Sequence, residues 1–469
     1  MNSSHIVKRN GDVSFWYQQA GLGDPGVRLT DPIEVDIAIV GGGLTGLWAA
    51  YYLAKALPTR RIAIFEARTI GYGASSRNGG WISYGMPGLN RMYAKSHGRE
   101  AVKHFQQEVF ASIAEVDRVV RAEQIEADLA YEGEIAIATA PAQAHRLVEE
   151  RDYCLEWGFA EDDLQLVGET ELRERFTHLP GGTSGLFSRH AARVQPAKLV
   201  RGLRDAVLRA GVEIYQNTPI VELAPHRLTT ADGLFVAAQW IIRGTEGFSN
   251  ELPGQQRDWL PKLSSVIATE PLTDQQLADI NWLDHAVLTR DASHSFSYIQ
   301  RTADNRIVLG GPGVPYYFGS GRDRNGETPA ASVTALAQAF DRLFPSLPEV
   351  AFEHTWTGVL GVPRDWSGTV SVDPATGMCV AGGYVGDGLS GSNLAGRTLR
   401  DLITGADTAV SRLPWVNKRI RRWEVEPLRW LGVTGLYAMY NAADRIERTS
   451  ASPKTSPLAV VAGRIAGRY

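Results

Sequence analysis

The feature that most constrains this chain is a run of apolar, largely β-branched residues that stops at a cluster of glycines. Ile37, Ala38, Ile39 and Val40 read as a buried parallel strand, and Gly41-Gly42-Gly43-Leu44-Thr45-Gly46 follows at once. Each glycine has a physical task in such a strand-to-helix turn. Gly41 permits the tight turn, Gly43 lets backbone approach a ligand closely, and Gly46 lets the helix carrying Leu47, Ala50 and Leu53 pack against the strand. Free amides at that helix N-terminus, at the positive end of the helix dipole, suit a pyrophosphate. A second strand over residues 61–65 ends at Glu66, about 20 residues past the last glycine, where a carboxylate accepts hydrogen bonds from a ribose. Order and spacing together imply a parallel-sheet unit that binds a dinucleotide.

The next stretch narrows the choice of dinucleotide. Ala67-Arg68-Thr69-Ile70-Gly71-Tyr72-Gly73-Ala74-Ser75-Ser76-Arg77-Asn78-Gly79-Gly80 is too rich in glycine and polar groups for a helix and reads as a long loop laid against a ligand. Here the chain resembles the D-amino-acid oxidase superfamily of flavoproteins, which includes glycine and sarcosine oxidases. Within it the likeness is strongest to the amine oxidoreductases grouped with γ-glutamylputrescine oxidase. Residues 74–80 match the family's Ala-Ser-x-Arg-Asn-Gly-Gly loop, which wraps the pyrophosphate and ring of a flavin. A second glycine turn, Gly382-Gly383-Tyr384-Val385-Gly386-Asp387-Gly388-Leu389, leads into a helix and matches the family's Ala-Gly-Gly-Tyr-x-Gly-x-Gly element. The resemblance extends over residues 35–405 and implies FAD. It places in the cofactor site Gly41, Gly43, Leu44, Thr45, Gly46, Glu66, Ala67, Arg68, Gly73, Ala74, Ser75, Arg77, Asn78, Gly79 and Gly80. Further along it adds Ile220, Thr245, Gly361, Gly386, Asp387, Gly388 and Leu389. Neither Cys154 nor Cys379 stands where sarcosine oxidases attach flavin, so the FAD is expected to be noncovalent. At Gly244-Thr245-Glu246 the family usually has Ala-Thr-Asn, and nothing in the sequence says what Glu246 does there.

Organisation follows from where these motifs fall. The expected fold class is α/β (α+β), with a Rossmann-like FAD-binding domain assembled from discontinuous segments and a mixed β-sheet substrate domain with helices, as in glycine and sarcosine oxidases. Residues 1–34 are expected to be an N-terminal extension; 35–90, 192–250 and 354–405 the FAD-binding domain; 91–191 and 251–353 the substrate-binding domain; and 406–469 a basic, helical C-terminal extension. Between residues 90 and 178 the chain reads as charged and helical, and Glu108, Ile113, Val116, Val119 and Val120 lie near helical spacing. Pro196 is placed to start a helix. Tyr298-Ile299-Gln300-Arg301, the turn Ala303-Asp304-Asn305 and the strand at Arg306-Ile307-Val308-Leu309 read as a hairpin.

Composition excludes several classes. The net charge of −4 carries no nucleic-acid footprint, and two cysteines in 469 residues give no disulfide framework, which suits a cytoplasmic protein. The N-terminus lacks the apolar core of a signal peptide, and no stretch approaches the roughly 18 apolar residues of a membrane span. No histidine, cysteine and carboxylate cluster falls at ligand spacing, so no metal is expected.

For the chemistry, the pocket candidates are Trp81, Tyr298, Arg301 and His354, with Tyr84 and Met86 as further walls. The family's amino-acid oxidases carry an arginine for the substrate carboxylate in a Trp-x-Gly-x-Arg-Pro segment. Here that place is Leu360, within Trp356-Thr357-Gly358-Val359-Leu360-Gly361. Sarcosine oxidases place a lysine beside the flavin for reaction with oxygen, and here that place is Val308. The expectation is FAD-dependent oxidation of an amine C–N bond, by hydride transfer to flavin N5 and hydrolysis of the imine to a carbonyl. The substrate is a primary or secondary amine such as a γ-glutamylputrescine-like compound, and electrons pass to O2 to give H2O2, with a quinone or carrier as the other acceptor. An oxidase or dehydrogenase of an N-methyl or D-amino acid is the alternative, Arg301 or Arg364 then binding the carboxylate. From another class, the chain would be a membrane-associated flavin electron-transfer subunit. The tail carries Arg412, Lys418, Arg419, Arg421, Arg422, Arg429, Arg445, Arg448, Lys454, Arg464 and Arg468 with Trp415, Trp423 and Trp430 interleaved. Such a segment either packs back over its own domain or makes peripheral contact with a membrane.

Overall fold

The structure is a computed structural model that describes residues 5–321 and 323–467, so Arg468 of the basic tail lies outside it. Two sheets organise the chain. In the first, strand Ile33–Val40 sits between Ile62–Phe65 and Phe235–Arg243, parallel to both, with Ile37 opposite Ile62 and Ile242 opposite Ile39. Strand Met378–Gly382 continues it beyond Phe235–Arg243, so segments from three parts of the chain form one eight-stranded sheet. The four residues of Ile62–Phe65 are all buried, as a strand covered on both faces requires.

Helix Leu44–Ala56 covers this sheet and packs against helices Pro196–Arg209 and Gly388–Thr404 in the largest apolar cluster, around the fully buried Trp48. The close approach has a glycine at its centre: a Cβ on Gly396 would lie 2.8 Å from Trp48. Pro196 occupies the first turn of its helix, where its missing N–H costs nothing, and the Gln195 side chain accepts from the Lys198 amide.

The second sheet has nine strands in the order Val7–Asn10, Phe352–Pro363, Trp259–Thr269, Ile307–Gly311, Tyr298–Arg301, Leu288–Asp291, Glu134–Ala138, Ser184–Ser188 and Leu164–Gly168. The hairpin at residues 298–311 forms as expected, with Tyr298 opposite Gly310 and Arg301 opposite Ile307. Two of these strands, Glu134–Ala138 and Leu164–Gly168, come from the stretch expected to be helical. Every residue of Glu134–Ala138 is buried, so the strand shows no alternation to reveal it. The amphipathic helix of that stretch is present as Arg99–Ala122.

Two segment boundaries drawn from sequence look different in space. Strand Phe352–Pro363 belongs to the nine-stranded sheet, so a division at residue 354 cuts through a strand. Residues 5–34 are woven into the body: Val7–Asn10 pairs in parallel with Phe352–Pro363, and helix Phe15–Gln19 braces the loop of residues 74–80. Ser14 Oγ donates to the Ser76 carbonyl at 2.6 Å and Trp16 Nε1 to that of Asn78 at 3.0 Å. From the other side Trp356, fully buried, donates its Nε1–H to the Arg77 carbonyl at 2.9 Å. Two indoles from opposite ends of the chain therefore hold one loop.

Trp356→Ala is expected to cost about 3–5 kcal/mol through the cavity it leaves, and Trp356→Phe about 1–3 kcal/mol, chiefly because the Arg77 carbonyl loses its donor. Equilibrium urea unfolding of the two variants beside the unchanged protein checks the order.

Candidate active site

The two glycine turns, more than 300 residues apart, come together at the starts of two packed helices and frame the candidate cleft. Gly41 has φ +108°, and a Cβ there would meet the Gly244 carbonyl oxygen at 2.8 Å, so only glycine satisfies both the turn and the neighbour. Helix Leu44–Ala56 starts with no side-chain cap at Gly43, and helix Gly388–Thr404 likewise has none at Asp387. Thr45 Oγ1 and the Tyr384 hydroxyl lie 3.0 Å apart and pin the two helix starts together. Leu44 N–H donates to Ser75 Oγ at 2.8 Å. Glu66 accepts from Gly42 N–H at 2.7 Å and Arg68 N–H at 2.9 Å. Burial raises its pKa while these amides oppose the rise. Helix starts without an N-cap side chain of their own, glycine backbone and a half-buried carboxylate at a strand end form the donor and acceptor set that a dinucleotide pyrophosphate and ribose need.

The flavin-style loop is stiffened from within. Asn78 Oδ1 accepts the Gly80 amide at 2.8 Å and its Nδ2 donates to the Ser75 carbonyl at 2.9 Å, while the Ala74 carbonyl accepts from Arg77 N–H at 3.1 Å. Arg77, expected among the cofactor ligands, is 1% exposed and directs its guanidinium to Asp323, at 2.7 and 3.1 Å. Burial works against ionisation of Asp323, but the Arg77 contacts outweigh it and hold the carboxyl below its usual range. Arg77 thus acts as a brace behind the loop. Gly73 lies against the Phe248 ring, and Arg68 with Thr69, Tyr17, Tyr72 and Asp323 lines a cavity of about 630 Å3. Ala67 follows Glu66 at the strand end. Ile220 sits in the apolar cluster under the eight-stranded sheet with Val35 and Phe65.

Glu246 has partners that sequence could not reveal. Its carboxylate accepts from Gly361 N–H at 2.8 Å and Gly383 N–H at 2.7 Å, joining the nine-stranded sheet to the second glycine turn. A Cβ on Gly361 would come within 2.6 Å of it. Burial pushes its pKa up to about 7 against the pull of these amides. Gly361, expected at the cofactor, gives its amide to Glu246. Thr245 beside it hydrogen-bonds Ser249 at 2.7 Å, and Gly386 has φ +114° ahead of the buried Leu389.

Over this cleft lies one face of the nine-stranded sheet. Residues paired across strands, or two apart along one, share a face. Arg290 is opposite both Ala136 and Tyr298, so Glu134, Arg290, Tyr298 and Gln300 point the same way. That face meets the flavin loop: a Cβ on Gly79 would lie 2.5 Å from the Tyr298 ring, and Gln300 donates to the Gly79 carbonyl. Trp81 packs edge-on to Tyr298 at 6.5 Å, its Nε1–H without a partner among the described residues. Tyr84 and Asp387 complete the group, the Asp387 carboxylate lying against Gly85. Burial pushes the Glu134 pKa up to about 8, with Arg290 opposing, and that of Asp387 up to about 7. Arg290 is itself paired with Glu150 at 2.5 Å.

Trp81 and Tyr298 are therefore brought together, whereas the other two pocket candidates stand apart. Arg301 is an odd number of residues from Tyr298 and projects from the opposite face, to Asn305 Oδ1 at 2.8 Å and the His285 carbonyl at 3.1 Å. His354 Nε2 is 2.7 Å from the Gly11 carbonyl under the N-terminal segment, and burial lowers its pKa. Arg364 is paired with Glu424 at 2.8 Å. Missed from sequence were Glu134, Arg290, and Lys262, which stands directly opposite Leu360. Val308 is 1% exposed among Trp16, Val266 and Trp356.

A split, glycine-lined cleft beneath a mixed sheet defines a flavin-dependent oxidoreductase. Residues 36–402 match the family described as FAD dependent oxidoreductase (DAO), and the chain belongs to that family, with FAD as its cofactor. It is 26% identical over 401 residues to the gamma-glutamylputrescine oxidoreductase of Escherichia coli K12, covering 84% of this chain and 89% of that protein. It is also 26% identical over 400 residues to the probable oxidoreductase OrdL of Haemophilus influenzae, covering 82% and 86%. Among solved structures, glycine oxidase from Geobacillus kaustophilus superposes with a TM-score of 0.68 at 22% identity, over 83% of this chain and 99% of that one.

Gly41→Ala is expected to strain the turn by about 1–3 kcal/mol and to weaken FAD retention on the order of ten- to a hundredfold. The ratio of flavin to protein absorbance after dialysis, with unchanged far-ultraviolet circular dichroism, reads this directly.

Proposed function

We propose that the protein oxidises the C–N bond of a primary or secondary amine carrying positive charge, a γ-glutamylputrescine-like compound being the type, and that oxygen takes the electrons to give H2O2. The observation that carries this reading is the acidic character of the sheet face over the cleft. Glu134 lies there buried with half-buried Asp387 at the neighbouring helix start, Glu134 Oε2 has no partner among the described residues, and Arg290, the cation on the same face, is engaged by Glu150. Such a chamber lacks charge in its resting, protonated state and regains it by taking in an ammonium group. When bound, FAD supplies the acceptor for the hydrogen and electron pair leaving the amine's C–H bond. Tyr298 and Trp81 present aromatic faces to the same space and exclude water from it. Noncovalent FAD is part of the reading, both cysteines being buried thiols.

Two observations favour second readings. Lys262, opposite Leu360, is a cation placed near where relatives of amino-acid oxidase type hold a carboxylate, which favours an N-methyl or D-amino acid. Val308 in its apolar surroundings leaves no cation where sarcosine oxidases have one, which favours a quinone or carrier protein over oxygen.

Anaerobic bleaching of the flavin by a panel of polyamines, γ-glutamyl amines and N-methyl or D-amino acids separates the substrate readings. Bleaching by amines alone is expected, and bleaching by amino acids alone sinks the proposal. Admission of air then tests the acceptor, since return of the yellow colour only on adding a quinone would exclude an oxidase.

The pH dependence is a further check. Carboxyls whose pKa values are raised to about 7 and about 8 become anionic as pH rises through that range, so kcat/KM for a cationic amine is expected to climb there. Glu134→Gln should remove the upper part of the rise and raise KM more than it lowers kcat.

A further inference from the structure

The basic tail does pack back on the body, but with only one side. Helix Leu428–Thr449 is locked by its inner face. Asp444 accepts the amides of His294 and Ser295 at 2.8 and 2.9 Å, and Glu447 takes Arg146 at 2.6 Å and His294 at 3.0 Å. Val433, buried, joins Leu260 and Trp423 in an apolar cluster. The helix cannot roll without breaking these contacts, so its opposite face is fixed outward.

That outward face is apolar. Leu428, Leu431 and Ile446 are 62%, 54% and 51% exposed, and their spacing with Gly435, Ala438 and Ala442 puts them on one stripe within about 100° of arc. No charged residue falls on the stripe, which runs from Leu428 to Ile446, about 27 Å at about 1.5 Å rise per residue. Helix Pro457–Ala466 packs against helix Leu428–Thr449 and repeats the pattern, with Leu458, Val461 and Ile465 at 37%, 46% and 59% exposure and Ala459, Ala462 and Ala466 turned inward. Beside the stripes stand Arg445, Arg448, Lys454 and Arg464, all exposed and none in an ion pair among the described residues. Among the described residues no helix is long and apolar enough to cross a membrane.

From this we infer that the hairpin of helices Leu428–Thr449 and Pro457–Ala466 is a docking surface for an anionic lipid bilayer, lying in the headgroup region. The chemistry matches on two counts. A convex apolar stripe with no charge on it suits the boundary of acyl chains and headgroups, and unpaired Arg and Lys on its flanks suit lipid phosphates. The carboxylates of these helices are used up elsewhere, Asp444 and Glu447 in the inner lock and Glu426 on Arg429 at 3.0 Å. The surface therefore meets a lipid with its cations unopposed. This inference is independent of which amine is oxidised.

The test is cosedimentation of the full-length, flavin-loaded protein with vesicles. Binding to vesicles of phosphatidylcholine with one part in three phosphatidylglycerol is expected to exceed binding to phosphatidylcholine alone on the order of tenfold or more, and to fall as salt rises. The triple variant Leu431→Ser, Ile446→Ser, Val461→Ser should lose this binding while keeping its flavin spectrum and melting temperature. Should that variant not fold, Arg445→Gln with Arg448→Gln and Arg464→Gln is the second test, expected to abolish the preference for the anionic lipid. Equal binding to both vesicle types, or none to either, overturns the proposal. So does light scattering that shows a dimer in the unchanged protein and a monomer in the serine variant, since the stripe would then cover a second copy of the chain.

Discussion

The carboxylate of Glu246 holds together what the rest of the molecule is built around. It follows strand Phe235–Arg243 of the eight-stranded sheet, and it accepts backbone amides from Gly361 in the nine-stranded sheet and Gly383 in the second glycine turn. Three segments that converge on the cleft therefore share one pair of oxygens. Hydrogen bonds to a charged acceptor are stronger than neutral ones, yet burial draws this group towards neutrality, up to about 7. The sign follows from a raised carboxyl pKa: between its unfolded value and about 7 the folded state binds the extra proton, so the group's contribution to stability falls as pH rises across that window.

How much of this was legible in the sequence depended on the range of each cause. The first glycine turn, Glu66 and the helix at Pro196 are set by neighbours within a few tens of residues, and the structure has them where the sequence put them. Glu134–Ala138 escaped notice because a strand buried on both faces carries no period. Arg301 and Tyr298 looked like companions in one motif, but on a strand three residues means opposite faces. Arg77 matches a flavin-loop pattern, while its partner Asp323 lies 246 residues away and no local signal points to it. Lys262 and Leu360 become neighbours only through strand register.

Charge is distributed to match these roles. At the cleft stand two carboxylates with raised pKa values, buried Glu134 and half-buried Asp387, held without full compensation, a pattern expected at sites that do chemistry or bind charge. Behind the flavin loop the carboxylate is matched by Arg77 and stays ionised. The same residue type is used once as a receptor and once as a rivet, and the difference is whether a guanidinium reaches it.

The N-terminal segment carries a consequence for how the protein comes to be made. Val7–Asn10 and Trp16 leave the ribosome some 340 residues ahead of the partners they meet, strand Phe352–Pro363 and the indole of Trp356. Until then the loop of residues 74–80 has one of its two indole supports missing, so the cleft is finished only after most of the chain has been synthesised. Contacts this distant in sequence close slowly. A nascent chain therefore holds its most polar, glycine-rich loop half-supported for most of translation, and cofactor capture becomes a late, chain-length-gated event.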